Sequence, residues 1–382
     1  MKLIYIANAR IPTEKAHGYQ ICKMCEEFSK QGVSVELWIP TRENRIRDDS
    51  FAFYGLKKNF TIKPIKTPDF IKYGNPLGQF GFWLQIIFFL LNLTFRKAEK
   101  DSIIYTRNPE IAWLFSLKGY ETVLEAHKWP KSKVKLHRLL IKRIDKLIVL
   151  TCGLKDLFVK SDFLKENILI APDGVDLQKF DLSLTKEQAR QQLNLPQDKI
   201  ILGYTGSFRT MGKDKGIMNI LKSLQELSKE YQNIHFVAVG GSQQDIQYYS
   251  KLAQDLKVIN YISLLQRVDL DKLAIFQKAF DVLLMPFPNK EHYAYYMSPL
   301  KMFEYMASKR PIITSDLPSI REVLNEDSAV IVAPDSPKEL FKGIKMVIEN
   351  PEMAEALANQ AFIDVQNYSW GERTQKILNF IK

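Results

Sequence analysis

Cysteine and long apolar runs are both scarce in this chain of 382 residues. Its 3 cysteines cannot crosslink so long a chain, which excludes a disulfide scaffold and indicates a hydrophobic core in a reducing compartment. The longest nearly apolar stretch, residues 80–95 (FGFWLQIIFFLLNLTF), is shorter than the ~20 residues of a membrane-spanning helix, which excludes a multi-span membrane protein. Glycine and proline contribute only 17 residues each, which excludes a collagen-like or low-complexity chain.

A secretion signal is also missing, because a short apolar run after Lys2 ends at Arg10 without a cleavage pattern. We therefore expect a cytoplasmic protein. The length favours two domains.

The net excess of positive charge is confined to the first half of the chain. Residues 1–170 contain 29 Lys and Arg against 17 Asp and Glu, whereas residues 171–382 are close to neutral. A basic half of this kind indicates an anionic partner, which could be nucleic acid, a phospholipid surface or a phosphorylated substrate. A solvated basic surface without a partner is the alternative. No nucleic-acid-binding module is recognisable, so nucleic acid is not expected.

Short apolar segments alternate with helical patterns throughout the chain. In the first half, KLIYIAN, VSVELWIP, SIIYTRN, TVLEAHK and KLIVLTC are typical of buried strands. In the second half the same holds for KIILGYTGS, HFVAVGG, VINYIS, DVLLMPF, RPIITSD and SAVIVA. This alternation predicts an α/β protein with two Rossmann-like, doubly wound parallel sheets of five or six strands each. The Pro-, Asp- and Gly-containing stretch 171–185 is the predicted domain boundary.

In the second half, residues that follow the predicted strands could hold an anion. Arg209 and Lys215 lie in a loop between Gly206 and a helix, where they suit a diphosphate, although a solvated basic loop would look the same. The loop does not match a Walker A sequence. Gly240 permits close backbone approach to a ligand, or merely a tight turn.

The segment 295–307, YYMSPLKMFEYMA, carries a carboxylate on an otherwise apolar helix. Ser298 is predicted to cap this helix, with Pro299 in its first turn. Glu304 needs a polar partner, either ribose hydroxyls or a Lys or Arg side chain.

In the first half, His127 follows a predicted strand and lies close to Glu125. The histidine could contact a substrate oxygen or serve in acid–base chemistry, although a lone histidine is more often structural. Cys22 and Cys25 have metal-like spacing, but they lie on the apolar face of a predicted helix, and no second pair follows. We therefore expect no metal site. Asp269 is predicted to cap a helix rather than to bind a cation.

Taken together, these segments resemble the GT-B glycosyltransferases, specifically glycosyltransferase family 4, the group 1 enzymes. The similar segments are ARIPTEKAHGYQICKMCEEF, IAPDGVDLQKF, GYTGSF…KG, FVAVGG, DVLLMPF, SPLKMFEYMASKRPIITSDLPSIREVL and NYSWGERTQKILNFIK, and they span nearly the whole chain in the family's order. The resemblance implies two Rossmann-like domains that face a cleft, with the C-terminal helix crossing back to the first. The implied domains are an acceptor-side domain, 1–172 with about 367–382, and a nucleotide-sugar-binding domain, 178–366.

The resemblance also implies an activity, namely transfer of a hexosyl or related sugar from a nucleotide-sugar to a glycan or lipid-linked acceptor, with retention of configuration. It places His127 near the transferred sugar, Arg209 and Lys215 at the diphosphate, and Glu304 at the ribose. These four are the expected catalytic residues. The expected substrate-binding residues are Gly18, Glu125, Gly206, Ser207, Gly240, Arg267, Val268, Tyr296, Ser298, Leu300 and Lys301.

One position departs from the family pattern, because Tyr296 stands where many members have a glutamate that contacts the donor sugar. A non-catalytic nucleotide-sugar-binding subunit and a sugar-nucleotide epimerase are therefore kept as alternatives. Lys301 is expected to compensate for the backbone N–H that Pro299 lacks.

No cofactor and no metal are expected, since basic side chains and a helix N-terminus would stabilise the leaving diphosphate. The basic first half and the apolar stretch 80–95 together predict peripheral binding to the anionic inner face of the cytoplasmic membrane. A role in cell-surface polysaccharide or glycoconjugate synthesis would fit that location.

Overall fold

The computed structural model describes residues 1–72, 77–130, 132–210 and 212–382. The chain folds as two units. Unit 1 comprises Met1–Pro172 and Trp370–Lys382, and unit 2 comprises Asp173–Ser369. The C-terminal helix therefore belongs to unit 1.

Each unit is built on a parallel sheet. The strands of unit 1 are β1 (Lys2–Ile6), β2 (Ser34–Pro40), β3 (Thr61–Ile65), β4 (Ser102–Thr106), β5 (Thr122–Ala126), β6 (Lys146–Val149) and β7 (Ile168–Ile170). Those of unit 2 are β8 (Ile200–Thr205), β9 (Arg209–Thr210), β10 (Lys213–Asp214), β11 (Ile234–Gly241), β12 (Ile262–Gln266), β13 (Val282–Met285), β14 (Ile312–Ser315) and β15 (Val330–Val332).

Helices connect these strands. The helices of unit 1 are α1 (Ala16–Lys30), α2 (Ser50–Tyr54), α3 (Gly78–Thr94), α4 (Pro109–Leu117), α5 (Val134–Ile141), α6 (Cys152–Val159) and the C-terminal α17 (Trp370–Ile381). Those of unit 2 are α7 (Leu177–Phe180), α8 (Lys186–Leu193), α9 (Ile217–Glu230), α10 (Gln243–Asp255), α11 (Leu270–Ala279), α12 (Glu291–Tyr295), α13 (Leu300–Ala307), α14 (Pro318–Arg321), α15 (Pro337–Glu349) and α16 (Pro351–Val365).

The strand order confirms the doubly wound prediction. It runs β3-β2-β1-β4-β5-β6-β7 in unit 1 and β12-β11-β8-β13-β14-β15 in unit 2, and β9 and β10 form a separate antiparallel ribbon. The order reverses beside β1 and beside β8, and the carboxyl ends of strands at such a point are where open α/β sheets bind ligands.

The first sheet has seven strands, more than the five or six predicted from the sequence. The strand missed most clearly is β3, at the edge of the sheet, whose side chains are largely exposed and which contains Pro64. Proline is tolerated there because an edge strand can leave one side without hydrogen bonds. The inner strands β1, β4 and β5 are buried along nearly their whole length, as expected when helices cover both faces.

Helix α3 covers one face of the first sheet. Its Phe89 and Leu93 pack with Ile4, Ile104 and Phe115 in a core cluster. No helix in the described ranges is long and apolar enough to cross a membrane.

Candidate active site

Two glycines bring the end of β11 and the residue after β8 into close contact. Gly206 and Gly240 have φ angles of 105° and 120°, in the region that favours glycine. A Cβ atom on Gly240 would lie 2.6 Å from the carbonyl oxygen of Gly206, so no other residue fits there without a backbone shift. The two glycines thus line the carboxyl edge of the sheet at its point of reversal.

Lys301 lies beside Gly206 as a buried ammonium group. It is in the first turn of α13 and is only 8% exposed. Its Nζ atom lies 3.4 Å from the position that a Cβ on Gly206 would occupy, and 3.4 Å from the centre of the Tyr204 ring. Within the described part of the chain, this Nζ has no hydrogen-bond partner. Burial lowers the pKa of Lys301 well below its ordinary value, and the positive charge of Lys215 lowers it further.

Lys215 is the second lysine at this edge. Its Nζ donates to the Ser207 hydroxyl at 3.1 Å. Burial lowers the pKa of Lys215 to about 8. Lys215 is close enough to lower the pKa of Lys301, and an anion would stabilise the charged form of two such desolvated lysines.

Arg209 does not lie in a flexible loop, as the sequence suggested, but at the start of the β9–β10 ribbon. Its Nε donates to Asp245 Oδ1 at 2.5 Å, and its guanidinium lies 5.0 Å from the centre of the Tyr248 ring. These contacts fix the arginine on helix α10. Asp245 is a residue that sequence reasoning missed.

Glu304 is buried one turn after Lys301 on α13. Its Oε2 accepts a hydrogen bond of 3.2 Å from Gln277, which also donates to the Thr205 hydroxyl at 3.0 Å. Burial raises the pKa of Glu304 to about 7, against the opposing effects of Gln277 and Lys301. The structure therefore gives Glu304 an amide partner rather than a Lys or Arg hydrogen bond.

The prediction that Ser298 caps α13 is wrong. Pro299 occupies the N-cap position and makes no side-chain cap, while Leu300 is the first helical residue. The Ser298 hydroxyl instead accepts a hydrogen bond of 2.8 Å from the backbone N–H of Asp173. This hydrogen bond ties the start of unit 2 to the loop before α13, so the Ser298 hydroxyl has a structural role.

Three further expected ligand residues follow α12 or β12. Tyr296, at the end of α12, donates its hydroxyl to Glu291 at 3.0 Å. A carboxylate is thus held next to the position where the family pattern has one. Arg267 and Val268 follow β12, the strand next to β11, and Arg267 is exposed.

In unit 1, Glu125 is completely buried at the end of β5. Its carboxylate accepts from Arg107 at 3.0 Å and from Arg373 of α17 at 3.1 Å, contacts His127 Nε2 at 2.5 Å, and accepts from the Tyr105 hydroxyl. Burial alone would raise the pKa of Glu125, but the two arginines and His127 hold it well below its usual range.

The expectation that Glu125 binds substrate is therefore corrected, because an enclosed carboxylate with four donors has no free surface to offer. It orients its neighbours instead. Its partner His127 is the part of this cluster that remains one quarter exposed, so His127 is the candidate for substrate contact.

Gly18 lies inside the first turn of α1 rather than in a loop, and a Cβ there would collide with the Tyr54 hydroxyl and Thr13. Close packing thus accounts for this glycine. Next to it, burial and nearby cations, Arg107 first among them, lower the pKa of His17 to about 4. The sequence reasoning missed Arg42, two residues after β2, and Arg107, directly after β4. Both were detectable as the first charged residues after those strands.

Helix α1 also buries Cys22 and Cys25, both as free cysteines. In the described residues, no group of three or more His, Cys, Asp or Glu side chains is arranged to hold a metal ion.

Comparison with known proteins finds a family match in unit 2, the unit that carries Lys301 and Glu304. The model of the family "Glycosyl transferases group 1" matches residues 185–363. The match covers just under half of the chain and lies entirely within unit 2. The sequence resemblance to that family is confirmed.

Two curated relatives are similar to this chain. An uncharacterized glycosyltransferase of Methanocaldococcus jannaschii is 23% identical over 61% of this chain and 57% of its own length. The lipopolysaccharide 1,2-N-acetylglucosaminetransferase of Salmonella typhimurium is 22% identical over 73% of this chain and 72% of its own length. The chain thus spans little more than half of the archaeal relative.

Solved structures show that the fold is GT-B. A sucrose-phosphate synthase from Thermosynechococcus elongatus superposes with a TM-score of 0.77 at 17% identity, over 99% of this chain and 98% of that one. HepE of Anabaena, solved in complex with UDP, has a TM-score of 0.71 at 15% identity over 99% of both chains.

Proposed function

We propose that this protein transfers a hexosyl or related group from a nucleoside-diphosphate sugar to an acceptor, with retention of configuration and without a metal. The observation that carries the proposal is the buried Lys301 ammonium, which lacks a hydrogen-bond partner in the described residues and adjoins Gly206. A diphosphate would supply the missing charge and acceptors.

The chemistry of such a transfer fits these basic groups. When the bond between the sugar and the diphosphate breaks, negative charge grows on the leaving oxygen. Lys301, Lys215 and Arg209 would stabilise that charge in place of a cation such as Mg²⁺. Because Ser207 and Asp245 hold Lys215 and Arg209 before substrate arrives, little reorganisation of these two side chains is needed.

Glu304 and the residues after β12 would hold the nucleoside. A buried carboxylate with one hydrogen bond of 3.2 Å can accept further bonds from paired ribose hydroxyls. Arg267 and Val268 would hold the base. UDP in the HepE structure supports a uridine donor.

For the acceptor we propose a glycan or a lipid-linked sugar, with the protein acting at the inner face of the cytoplasmic membrane in cell-surface glycoconjugate synthesis. The name of the Salmonella relative supports this assignment. In unit 1, His127 would contact the transferred sugar, with Glu125 fixing the orientation of the imidazole.

A turnover assay tests the proposal. UDP-, GDP- and ADP-sugars are incubated with a panel of acceptors in the presence of EDTA, and the anomeric configuration of the product is read by NMR. We expect transfer from one donor class, retention, and no loss with EDTA. Lys301→Met should reduce turnover by ~10² or more, whereas Lys222→Met, which changes an exposed lysine of α9, should not. Loss with EDTA would contradict the metal-free mechanism.

Tyr296 favours a second candidate, a non-catalytic nucleotide-sugar-binding subunit. It supplies a phenol where many family members have a carboxylate, although Glu291 lies 3.0 Å from its hydroxyl. Donor binding without transfer by the wild-type protein, and no change on Tyr296→Glu, would support this second function.

A further inference from the structure

Helix α3 of unit 1 exposes a continuous stripe of large apolar side chains. Along one face of the helix, Phe80 is 64% exposed, Trp83 42%, Ile87 47% and Leu91 50%. Their spacing of three and four residues places them on one side of the helix. Exposed apolar patches of this kind mark interaction sites in soluble proteins.

The opposite face of the same helix is anchored. Gln85, Phe89 and Leu93 are at most 1% exposed, and the Gln85 side chain accepts a hydrogen bond of 3.1 Å from the backbone of Phe70. The helix is therefore fixed along its length on unit 1 and cannot turn its apolar stripe inward. The axis of α3 would therefore lie parallel to a surface that the apolar stripe contacts.

Helix α5 extends this surface and adds positive charge. Leu136 and Leu139 are exposed on it, and Lys133 at its start places its Nζ 3.8 Å from the centre of the Trp83 ring. Two further exposed basic residues, Arg138 and Lys142, lie on or next to this helix. Apolar side chains surrounded by Lys and Arg are typical of helices that bind in the plane of a membrane.

Acidic residues are missing from both sequences that form this surface. Residues 70–98 and 126–144 contain no Asp or Glu, and residues 126–144 contain seven Lys and Arg. A protein partner would need a strongly acidic and apolar face to match, whereas an anionic bilayer offers both properties at once. Charge complementarity therefore favours the bilayer over a second copy of this basic chain.

We propose that the exposed faces of α3 and α5 form a membrane-docking surface that binds anionic phospholipid, with α3 lying in the interface plane. Phe80, Trp83, Ile87 and Leu91 enter the boundary of the acyl chains, and the basic residues of α5 contact headgroup phosphates. This inference builds on the proposed membrane location but does not depend on glycosyl transfer, because lipid binding needs no donor.

Vesicle sedimentation of the full-length protein tests the docking surface. We expect binding to phosphatidylglycerol–phosphatidylcholine vesicles at least tenfold tighter than to phosphatidylcholine alone. At ~1 M salt the difference should disappear, because screening then acts within about 3 Å. Equal binding to both vesicle types, or no binding to either, would overturn the proposal.

Matched variants separate the two contributions. Ile87→Glu with Leu91→Glu, and separately Arg138→Glu with Lys142→Glu, should each weaken vesicle binding at least tenfold. The controls are Ile363→Glu, at an apolar residue of unit 2 that is 60% exposed, and Lys222→Glu with Lys251→Glu, at exposed lysines of unit 2. The control variants should bind vesicles as tightly as the wild type. If the α3 and α5 variants also bind as tightly as the wild type, the docking surface is misassigned.

Trp83 provides a direct reading of insertion. Lipids brominated on the acyl chain should quench tryptophan fluorescence of the wild type, and Trp83→Phe, which keeps an apolar ring, should lose that quenching while still binding. Persistence of quenching in Trp83→Phe would contradict insertion of α3. Sedimentation equilibrium without lipid tests whether a second copy of the chain binds this face instead. If the wild type is a dimer and Ile87→Glu with Leu91→Glu makes it a monomer, this face is an interface between two copies and the membrane proposal is overturned.

Discussion

Both units bury ionisable side chains at the carboxyl edge of a parallel sheet, but they neutralise them differently. In unit 1 the Glu125 carboxylate has two arginines, a histidine and a tyrosine around it. In unit 2 the Lys301 side chain lies against the Tyr204 ring and beside Gly206, and its Nζ has no hydrogen-bond partner among the described residues. Glu304 accepts a hydrogen bond of 3.2 Å from Gln277.

The difference separates a structural role from a binding role. When other side chains of the same chain neutralise a buried charge, the charge needs no ligand. The ion pairs also hold together the strands and helices that carry those side chains. Here those elements are β4, β5 and the C-terminal helix α17. A buried charge without a partner destabilises the free protein, and it is retained where a ligand supplies the counter-charge.

The largest expected effect comes from breaking the paired cluster. Glu125→Gln leaves Arg107 and Arg373 buried without a counter-charge, so we expect unit 1 to lose about 3–5 kcal/mol of its free energy of unfolding at pH 7. Because the pKa of Glu125 is held low in the folded state, the wild-type stabilisation is complete above about pH 5 and declines as the pH falls.

Urea unfolding monitored by tryptophan fluorescence measures this loss, since all 5 tryptophans lie in unit 1. The control is Glu99→Gln, which removes an exposed ion pair with Lys2 and should change the free energy by less than ~1 kcal/mol. If both variants behave alike, the cluster around Glu125 does not hold unit 1 together.

The second effect concerns turnover and the basic groups of unit 2. Lys215→Ala and Arg209→Ala should each lower kcat by ~10²–10³, the scale for removing one preorganised electrostatic donor. Lys213→Ala, on the same ribbon but exposed, serves as the control. Wild-type rates in both site variants would mean that the diphosphate binds elsewhere.

The contrast between the units shows how much the sequence could predict. Apolar strands and helix periodicity predicted both parallel sheets, because burial on both faces leaves a continuous apolar signature. The prediction that Asp269 caps a helix is confirmed by its hydrogen bond of 2.8 Å to the backbone N–H of Lys272. Such contacts span three residues and depend on local sequence alone.

Predictions failed where a partner comes from far along the chain. The Ser298 hydroxyl is taken by Asp173, 125 positions away, and Glu125 is enclosed by Arg373, 248 positions away. No local pattern encodes such pairs. For the same reason the fixing of Arg209 by Asp245 could not be read from the sequence, although the basic character of that segment could.

A smaller effect is a gain in stability from the unpaired lysine. Lys301→Met removes a buried ammonium while keeping the length of the side chain, so the ligand-free unit 2 should gain about 1 kcal/mol or more in free energy of unfolding. Differential scanning calorimetry should show its Tm about 2–4 °C higher, while the tryptophan-detected transition of unit 1 stays unchanged. A lower Tm for unit 2 would mean that Lys301 has a partner that stabilises it in the free protein.

The smallest expected effect is an exchange of protons when the nucleoside diphosphate binds. Near pH 9 a large part of Lys215 is uncharged in the free protein, because its pKa is about 8, and a bound diphosphate would raise that pKa, so protons should be taken up. Near pH 6 most of Glu304 is protonated, because its pKa is about 7, and ribose hydroxyls favour the carboxylate, so protons should be released.

Calorimetric titration in two buffers of different ionisation enthalpy measures both signs. Lys215→Met should reduce the uptake, to which Lys301 also contributes because its pKa is lowered too, and Glu304→Gln should abolish the release. Binding without proton exchange at either pH would contradict the assignment of these two residues to the nucleotide.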